Sequence, residues 1–301
     1  MTTMVMYHKP VLLDESVDGL VWKPDGIYVD LTFGGGGHSR AILDRLQGGR
    51  LFAFDQDQDA AANAEELDLT FVQANFRHLK RYLKLYGVKQ VDGILADLGV
   101  SSHQFDVPDR GFSTRFEADL DMRMDQQSHR TAQQVVNEYS EQQLHQLLGM
   151  YGEVRNAKTL AQAIVSARTN ESIKTVNELK QVLDKFAPKG KEAKYYAQVF
   201  QALRIEVNDE IKALEEMLEQ SVDLLVPGGR LVVLSYHSLE DRLVKNMINK
   251  GKLYGEVEKD FYGNPHLPLK AVTRKPLVPS PEELREISRS RSVKLRIAEK
   301  R

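Results

Sequence analysis

Three aspartates that close apolar runs, together with four consecutive glycines, are the residues of this 301-residue chain whose types and spacing suit chemistry. Asp30 ends the run from Ile27, Asp55 ends the run from Leu51, Asp97 stands near the end of the run from Val91, and Gly34 to Gly37 follow the first run. Glycines lack side chains, so such a loop can take positive φ and let a ligand approach its backbone. Ala41, Ile42, Leu43 and Leu46 recur at helical spacing, which predicts a helix starting near His38 with its unpaired N–H groups at the loop. Asp55 lies 20 residues beyond Gly35, where an acid can accept hydrogen bonds from ribose hydroxyls. Strand, glycine loop, helix, strand and acid in that order favour a nucleotide-type cofactor over a plain glycine turn.

The elements that must hold these residues follow from periodicity. Ile27 to Leu31 reads as a buried strand of a parallel sheet covered on both faces. An alanine-rich helix is expected through Glu66, a third strand over Leu69 to Val72, an amphipathic stretch with Phe76, Leu79, Tyr82 and Leu83, and a fourth strand over Val91 to Leu98. Such alternation predicts a doubly wound α/β sheet with ligands at the carboxyl ends of its strands, and so sets Asp97 beside the glycine loop. The pattern breaks after Gly99. From Thr131 to Lys185 only helical periods occur, with capping boxes at Ser140/Gln143 and Thr175/Glu178. After a lysine-rich linker, helical stretches with Val199, Leu203, Ile211, Leu214 and Leu218 lead to a turn at Pro227-Gly228-Gly229 and a last strand, Arg230 to Ser235. The expected organisation is a discontinuous α/β domain, residues 1–106 and 199–301, interrupted by an all-helical insertion, residues 107–198.

Composition narrows the function. Charged residues make up 28% and hydrophobic ones 42%, as in a soluble globular chain with one large core or two ordinary ones. Cysteine is absent, which excludes disulfides, thiolate metal sites and cysteine nucleophiles and fits a reducing compartment. Eight scattered histidines offer no metal-ligand spacing, so no metal is expected. No apolar run is long enough to span a bilayer and no basic-then-apolar leader is evident, so the expected location is cytoplasmic, away from membranes. The net charge of −2 hides a basic tail: Lys270 to Arg301 holds ten Lys and Arg against four Glu, an excess of six that suits phosphate contact.

The glycine spacing separates two cofactors. A dinucleotide fingerprint G-x-G-x-x-G counted from Gly34 meets Ser39 at its third glycine, and counted from Gly35 meets Arg40, which argues against an NAD(P)-dependent oxidoreductase. Asp30-x-Thr32-x-Gly34-x-Gly36 instead resembles the first motif of class I S-adenosylmethionine methyltransferases, with threonine where a glycine often stands. The likeness then extends along the chain. His8-Lys9-Pro10-Val11-Leu12-Leu13, Thr32-Phe33 with the glycines and His38-Ser39, Asp97-Leu98-Gly99-Val100-Ser101-Ser102, Asp109-Arg110-Gly111-Phe112-Ser113 and Leu120-Asp121-Met122-Arg123-Met124-Asp125 resemble segments of the RsmH (MraW) family of bacterial rRNA methyltransferases. So do Tyr151-Gly152-Glu153, Phe200-Gln201-Ala202-Leu203-Arg204-Ile205, Tyr236-His237-Ser238-Leu239-Glu240-Asp241-Arg242 and Leu295-Arg296-Ile297-Ala298-Glu299-Lys300.

The resemblance implies a Rossmann-like class I fold with an inserted helical domain. It also implies an enzyme that uses S-adenosyl-L-methionine to methylate N4 of a cytidine in the decoding centre of 16S rRNA, on the assembled small ribosomal subunit. Carried over by motif, Gly35, Gly36, Gly37 and His38 would cradle the methionine part of the cofactor, Asp55 its ribose and Phe76 its adenine, with Asp97 and Gln104 completing the site. Asp97 and His237 are the candidate catalytic residues, and the segment Arg285 to Arg301 and the helical insertion are the expected RNA contacts. Departures from the family pattern occur at Gly35, at Asn156 and in the short stretch from Lys250 to Pro265. Asp97-Leu98-Gly99-Val100 stands where amino methyltransferases generally carry Asn/Asp-Pro-Pro-aromatic, and an acceptor there can hydrogen-bond the target amine. Two further alternatives share features with this reading: a DNA amino-methyltransferase shares the chemistry, and a non-catalytic RNA-binding protein shares the basic tail but has no need of Asp55 and Asp97 around a glycine loop. Asp121, Arg123 and Asp125 are expected to form an ordered ion-pair network, and Phe105, Phe112 and Phe116 to make hydrophobic contacts.

Overall fold

Each apolar run that ends in an acid is a buried parallel strand in the computed structural model, which describes residues 10–287 and 291–301. His8, Lys9 and Arg289 lie outside the described residues. Strands β1 (Ile27–Asp30), β2 (Arg50–Asp55), β3 (Thr70–Gln73), β4 (Val91–Asp97), β5 (Leu225–Ser235), β6 (Leu269–Ala271) and β7 (Lys294–Lys300) form one sheet in the order β3-β2-β1-β4-β5-β7-β6. β1 pairs in parallel with β2 and β4, so that Val29 sits between Phe52 and Ile94. β7 alone runs against its neighbours, Val232 pairing with Ile297. Tyr28, Val29, Phe52, Phe54, Ile94 and Leu95 have no exposed surface, as expected for strands covered on both faces.

The chain divides into two units, one comprising residues up to Gly99 together with Lys212–Arg301, the other Val100–Ile211. The first holds the sheet with helices α1 (Leu13–Leu20), α2 (Gly37–Leu43) and α3 (Leu79–Leu85). The second is helical: α4 (Ser102–Asp106), α5 (Ala132–Glu138), α6 (Glu141–Met150), α7 (Ala157–Asn170), α8 (Val176–Asp184) and α9 (Glu192–Asn208). α10 (Glu210–Leu224) begins at the boundary and returns the chain to the sheet, where α11 (Ser238–Lys250) and α12 (Pro281–Glu286) complete the first unit.

These limits, 100 and 211, differ from those expected for the insertion, 107 and 198. The carboxyl-side shift has a plain cause: α9 is one unbroken helix that buries Tyr195, Val199, Phe200 and Leu203 in the helical core, so a boundary at 198 would cut it. Two elements also differ in kind. The expected alanine-rich helix is a 3-10 helix, Gln58–Ala64, capped by the Asp57 side chain. Ala60 N–H donates to Asp57 O at 3.1 Å, the i→i+3 bond of the tighter helix, and Asp57 Oδ1 accepts the Asp59 N–H at its start. The expected turn at Pro227-Gly228-Gly229 is an irregularity inside β5, where pairing jumps from Val91↔Leu225 to Gly93↔Arg230.

In the helical unit, Leu120, Met122, Val135, Leu144, Leu148, Leu160, Val176 and Leu183 are buried together, and Phe112 joins this core. Capping boxes at Thr131/Gln134, Ser140/Gln143 and Thr175/Glu178 satisfy the N-terminal N–H groups of α5, α6 and α8. The segment before them is held by cations: Arg110 donates to the carbonyls of Arg123 and Met124, and Arg123 grips Asp121 at 2.7 Å while donating to Gln126 O and Ser128 O. Gly111 is the tightest point. Its φ is +70°, and a Cβ there would lie 2.4 Å from the Asp119 carbonyl oxygen. We expect Gly111→Ala to cost the helical unit about 3 kcal/mol, from left-handed backbone strain plus the clash with a rigid carbonyl. A fall in the urea midpoint with an unchanged slope would register it.

Candidate active site

The carboxyl ends of β1, β2, β4 and β5 converge on the glycine loop. Between β1 and β4 the chain order reverses direction across the sheet, the switch point at which open α/β sheets bind their ligands. Gly34 and Gly36 both take positive φ, 50° and 76°, and Gly36 is the left-handed N-cap of α2. The loop is tied down on each side: Gly34 N–H donates to Asp55 Oδ2 at 2.8 Å, Asn63 Nδ2 donates to Gly34 O at 2.9 Å, and Phe33 N–H donates to Phe54 O at 2.9 Å. Gly37 meets Pro10, whose ring Cγ would lie 2.4 Å from a Cβ at that position.

The three acids have different partners. Asp30, fully buried, accepts from Ser39 Oγ at 2.7 Å and from Thr32 N–H at 3.1 Å, joining the end of β1 to α2. Asp55 accepts from Gly34 N–H and, through Oδ1, from Asp57 N–H at 2.9 Å. Asp97 has its N–H on Thr32 Oγ1 at 2.7 Å and its Oδ1 on the Tyr236 hydroxyl at 2.8 Å. Burial raises the Asp30 and Asp55 carboxyls to about 6 against the bonds they accept, and Asp30 adds its charge to the rise at Asp55. Asp97 is pushed up to about 7 by burial, with the Tyr236 hydrogen bond opposing and the charges of Asp30 and Glu240 assisting. A carboxyl tuned this close to neutrality can exchange a proton at working pH.

His38 stands in the first turn of α2 with Nδ1 3.8 Å from Asp97 Oδ2. Burial lowers its pKa to about 4, so it is neutral, and its buried Nε2 has no hydrogen-bond partner among the described residues. A buried polar atom of this kind calls for a ligand or a water. At the end of β5, Tyr236 and His237 precede α11, whose Glu240 accepts the Tyr236 N–H at 2.8 Å and lies 3.1 Å from His237 Nε2. Asp241 carries Arg296 at 2.7 Å and Lys294 at 3.1 Å; burial pushes its carboxyl up, but the two cations outweigh that and hold it below the usual range.

Among the residues expected from sequence, Gly35, Gly36, Gly37, His38, Asp55 and Asp97 gather at this end of the sheet. Phe76 opens the 3-10 turn after β3, half-buried, with Asn75 beside it bonded to Gln56 at 2.8 Å. Gln104 belongs to the helical unit, where its Oε1 accepts the Ser101 N–H at 3.1 Å in the capping box of α4. The tail is less free than its charge suggested: Lys294 and Arg296 bind Asp241, Arg230 pairs with Glu299 at 3.0 Å, and Lys300 donates to Val222 O. Sequence reasoning missed Thr32, Asn63, Tyr236 and Glu240 as site-building residues. For Thr32 a signal existed, since its hydroxyl bridges β1 to β4 from the motif position where glycine often stands.

A seven-strand sheet in which an antiparallel β7 enters between β5 and β6, a glycine loop after β1 and acids ending β1, β2 and β4 define a class I methyltransferase, whose methyl donor is S-adenosylmethionine. The residues present fit that molecule: a loop open to close approach, an acid at the end of β2 and the unsatisfied His38 Nε2 are polar groups suited to a nucleoside with an amino-acid arm. Within this class the chain belongs to the MraW methylase family, whose family model matches residues 5–301. It is 60% identical over 298 residues to a Ribosomal RNA small subunit methyltransferase H of Cytophaga hutchinsonii, covering 98% of this chain and 100% of that protein. It is 59% identical over 302 residues to the protein of the same name from Flavobacterium johnsoniae, covering 100% of each. The corresponding Bacteroides thetaiotaomicron protein is 53% identical over 297 residues, 98% of each chain.

Proposed function

We propose that this protein transfers a methyl group from S-adenosylmethionine to N4 of a cytidine in the decoding centre of 16S rRNA, acting in the cytoplasm on the assembled small subunit. Family membership and relatives named for methylation of small-subunit rRNA support the substrate class. The observation that carries the chemistry is the Asp97 carboxyl, held by Tyr236 and Thr32 at the switch point of the sheet. Among the described residues no helix is long and apolar enough to cross a membrane.

Bound S-adenosylmethionine would supply the methyl group on a sulfonium, a leaving group whose sulfur would retain the bonding pair. Gly35, Gly36, Gly37 and His38 would hold its methionine part, Asp55 its ribose and Phe76 its adenine. The acceptor is the difficult partner, because the N4 lone pair of cytosine is delocalised into the ring. Asp97 Oδ2 accepts no hydrogen bond among the described residues; accepting one from the amine helps localise that pair as the nitrogen pyramidalises. As the N–C bond forms, the nitrogen must shed one proton, and the Asp97 carboxylate takes it. We assign this role to Asp97 in preference to His237, whose Nε2 faces Glu240. Orientation of the two reactants supplies most of the remaining rate. For the RNA, the helical unit and the exposed Arg285 and Arg291 are the proposed contacts, while Lys294 and Arg296 serve the sheet.

Transfer of labelled methyl from S-adenosylmethionine to unmodified small subunits, with naked rRNA and duplex DNA in parallel and digestion to nucleosides, tests the proposal. N4-methylated cytidine from subunits is the expected product. Label on DNA would keep the chemistry and discard the ribosomal substrate, and label on another atom of the base would discard the N4 assignment.

A further inference from the structure

We propose that Tyr236 is a positioning residue for methyl transfer: its hydroxyl holds Asp97 Oδ1 so that Oδ2 is presented, ionised, to the target amine. The inference rests on the methyl-transfer reading of this site. Its observations are geometric. Asp97 is fixed twice, through its backbone by Thr32 Oγ1 at 2.7 Å and through its side chain by the Tyr236 hydroxyl at 2.8 Å. Tyr236 is itself held, since its N–H donates to Glu240 Oε2 at 2.8 Å, which roots the residue in the first turn of α11. Its ring lies against Gly99, where an added Cβ would be 3.5 Å from Cδ2 and where φ is +93°. β4 and β5 pair Asp97 with Leu234, so the bond joins two adjacent strands at their carboxyl ends.

The phenol is the right donor for this task. Burial and the nearby Asp97 charge raise its pKa well above the ordinary value, so it stays protonated and donates to a carboxylate at any working pH. A charge-assisted hydrogen bond of this kind favours the ionised acid. The other groups facing Asp97 act differently: Asp30 on β1 and Glu240 on α11 oppose its ionisation by charge, and His38 on α2, neutral and 3.8 Å away, supplies no cation. Among these titratable groups Tyr236 is therefore the one that lowers the pKa of the acid while fixing its direction.

The test is Tyr236→Phe, which removes one oxygen and keeps the ring. Loss of a hydrogen bond to a charged group should move the acid limb of the turnover profile up by roughly one pH unit. Turnover at pH 7 should then fall about fivefold and recover to within about twofold of wild type by pH 9, the ordinary titration curve for such a displacement. In the full-length protein without ligand, carbon-13 carboxylate NMR of Asp97 should show the same upward displacement, and S-adenosylhomocysteine should bind within about twofold of wild type. An Asp97 titration that does not move overturns the inference, whatever the turnover. A titration that moves while the turnover profile keeps its shape also overturns it, because Tyr236 would then orient a carboxylate that does not limit transfer. Loss of adenosylhomocysteine binding would overturn it by making Tyr236 part of the cofactor site. Failure of the methyl-transfer reading shows separately, as absence of transfer by the wild-type enzyme.

Discussion

Asp97→Asn will lower methyl transfer by two to four orders of magnitude, the range of a positioned proton acceptor, while leaving S-adenosylhomocysteine affinity within a few fold. Asparagine keeps the shape and one acceptor: its Oδ1 can still receive the Tyr236 hydroxyl, and the backbone bond to Thr32 is untouched. It replaces the second oxygen by an amide that donates, which repels the amine N–H and cannot take its proton. The same variant should be more stable than wild type at pH 8. An acid whose folded pKa lies above its unfolded value loses stability as pH rises, and Asp97 goes from about 3.8 unfolded to about 7 folded. The cost of keeping it charged therefore starts above pH 4 and is complete above pH 7. It amounts to ~4 kcal/mol at the full shift and about half that once its partial exposure is allowed for. Melting curves should show the gain of Asp97→Asn growing from pH 5 to pH 8. A variant that loses activity with no such gain would mean that the carboxyl is not held at that elevated pKa, and the acceptor role would lose its physical basis.

How far the sequence carried this site depends on which signals are periodic. β1, β2 and β4 announce themselves as apolar runs, so their terminal acids could be aligned from sequence, and the helical unit showed through its spacing and capping boxes. β7 did not. Lys294 to Lys300 alternates cations with Leu295 and Ile297, a composition that suggests a basic tail but is also the period-2 signature of a strand with one buried face. Its cations answer Asp241 on α11, a residue more than fifty positions away, and no local pattern encodes such a pairing. The 3-10 helix after β2 was hidden for a different reason: an alanine-rich stretch does not tell an α-helix from a 3-10 helix, and the difference lies in the i→i+3 bonds the backbone makes. Tyr236 carries no periodic signal at all, because a single aromatic after a strand gains meaning only when the sheet brings β5 beside β4. The acids that close apolar runs were therefore legible, and the residues whose bonds reach a distant element, such as Thr32, Asn63 and Tyr236, were not.

Gly37→Ala should weaken S-adenosylhomocysteine binding by about 100-fold, the penalty expected when reacting or binding groups move by an ångström. The added methyl would lie 2.4 Å from Pro10 Cγ and 2.8 Å from Cδ. Carbon atoms in contact need about 3.5 Å or more, so one partner must move by roughly 1 Å. Pro10 has little freedom to do so: its ring is fixed to the backbone, Leu12 follows in a left-handed conformation at φ 49°, and the Leu12 N–H is held by Glu283 Oε1. The first turn of α2 must yield instead, and with it the loop and His38. Two comparisons separate this cause from a general intolerance of alanine. Gly48→Ala adds a methyl with nothing within 4 Å at φ +78°, and should cost about 1 kcal/mol of stability with no change in ligand affinity. Pro10→Ala removes the two ring atoms in the clash, so the double variant should regain most of the affinity lost by Gly37→Ala alone. Recovery would assign to the segment before α1 the role of a brace that fixes the cofactor loop from outside it. Persistence of the defect in the double variant would instead locate the requirement for glycine in the backbone of the loop and its approach to the ligand.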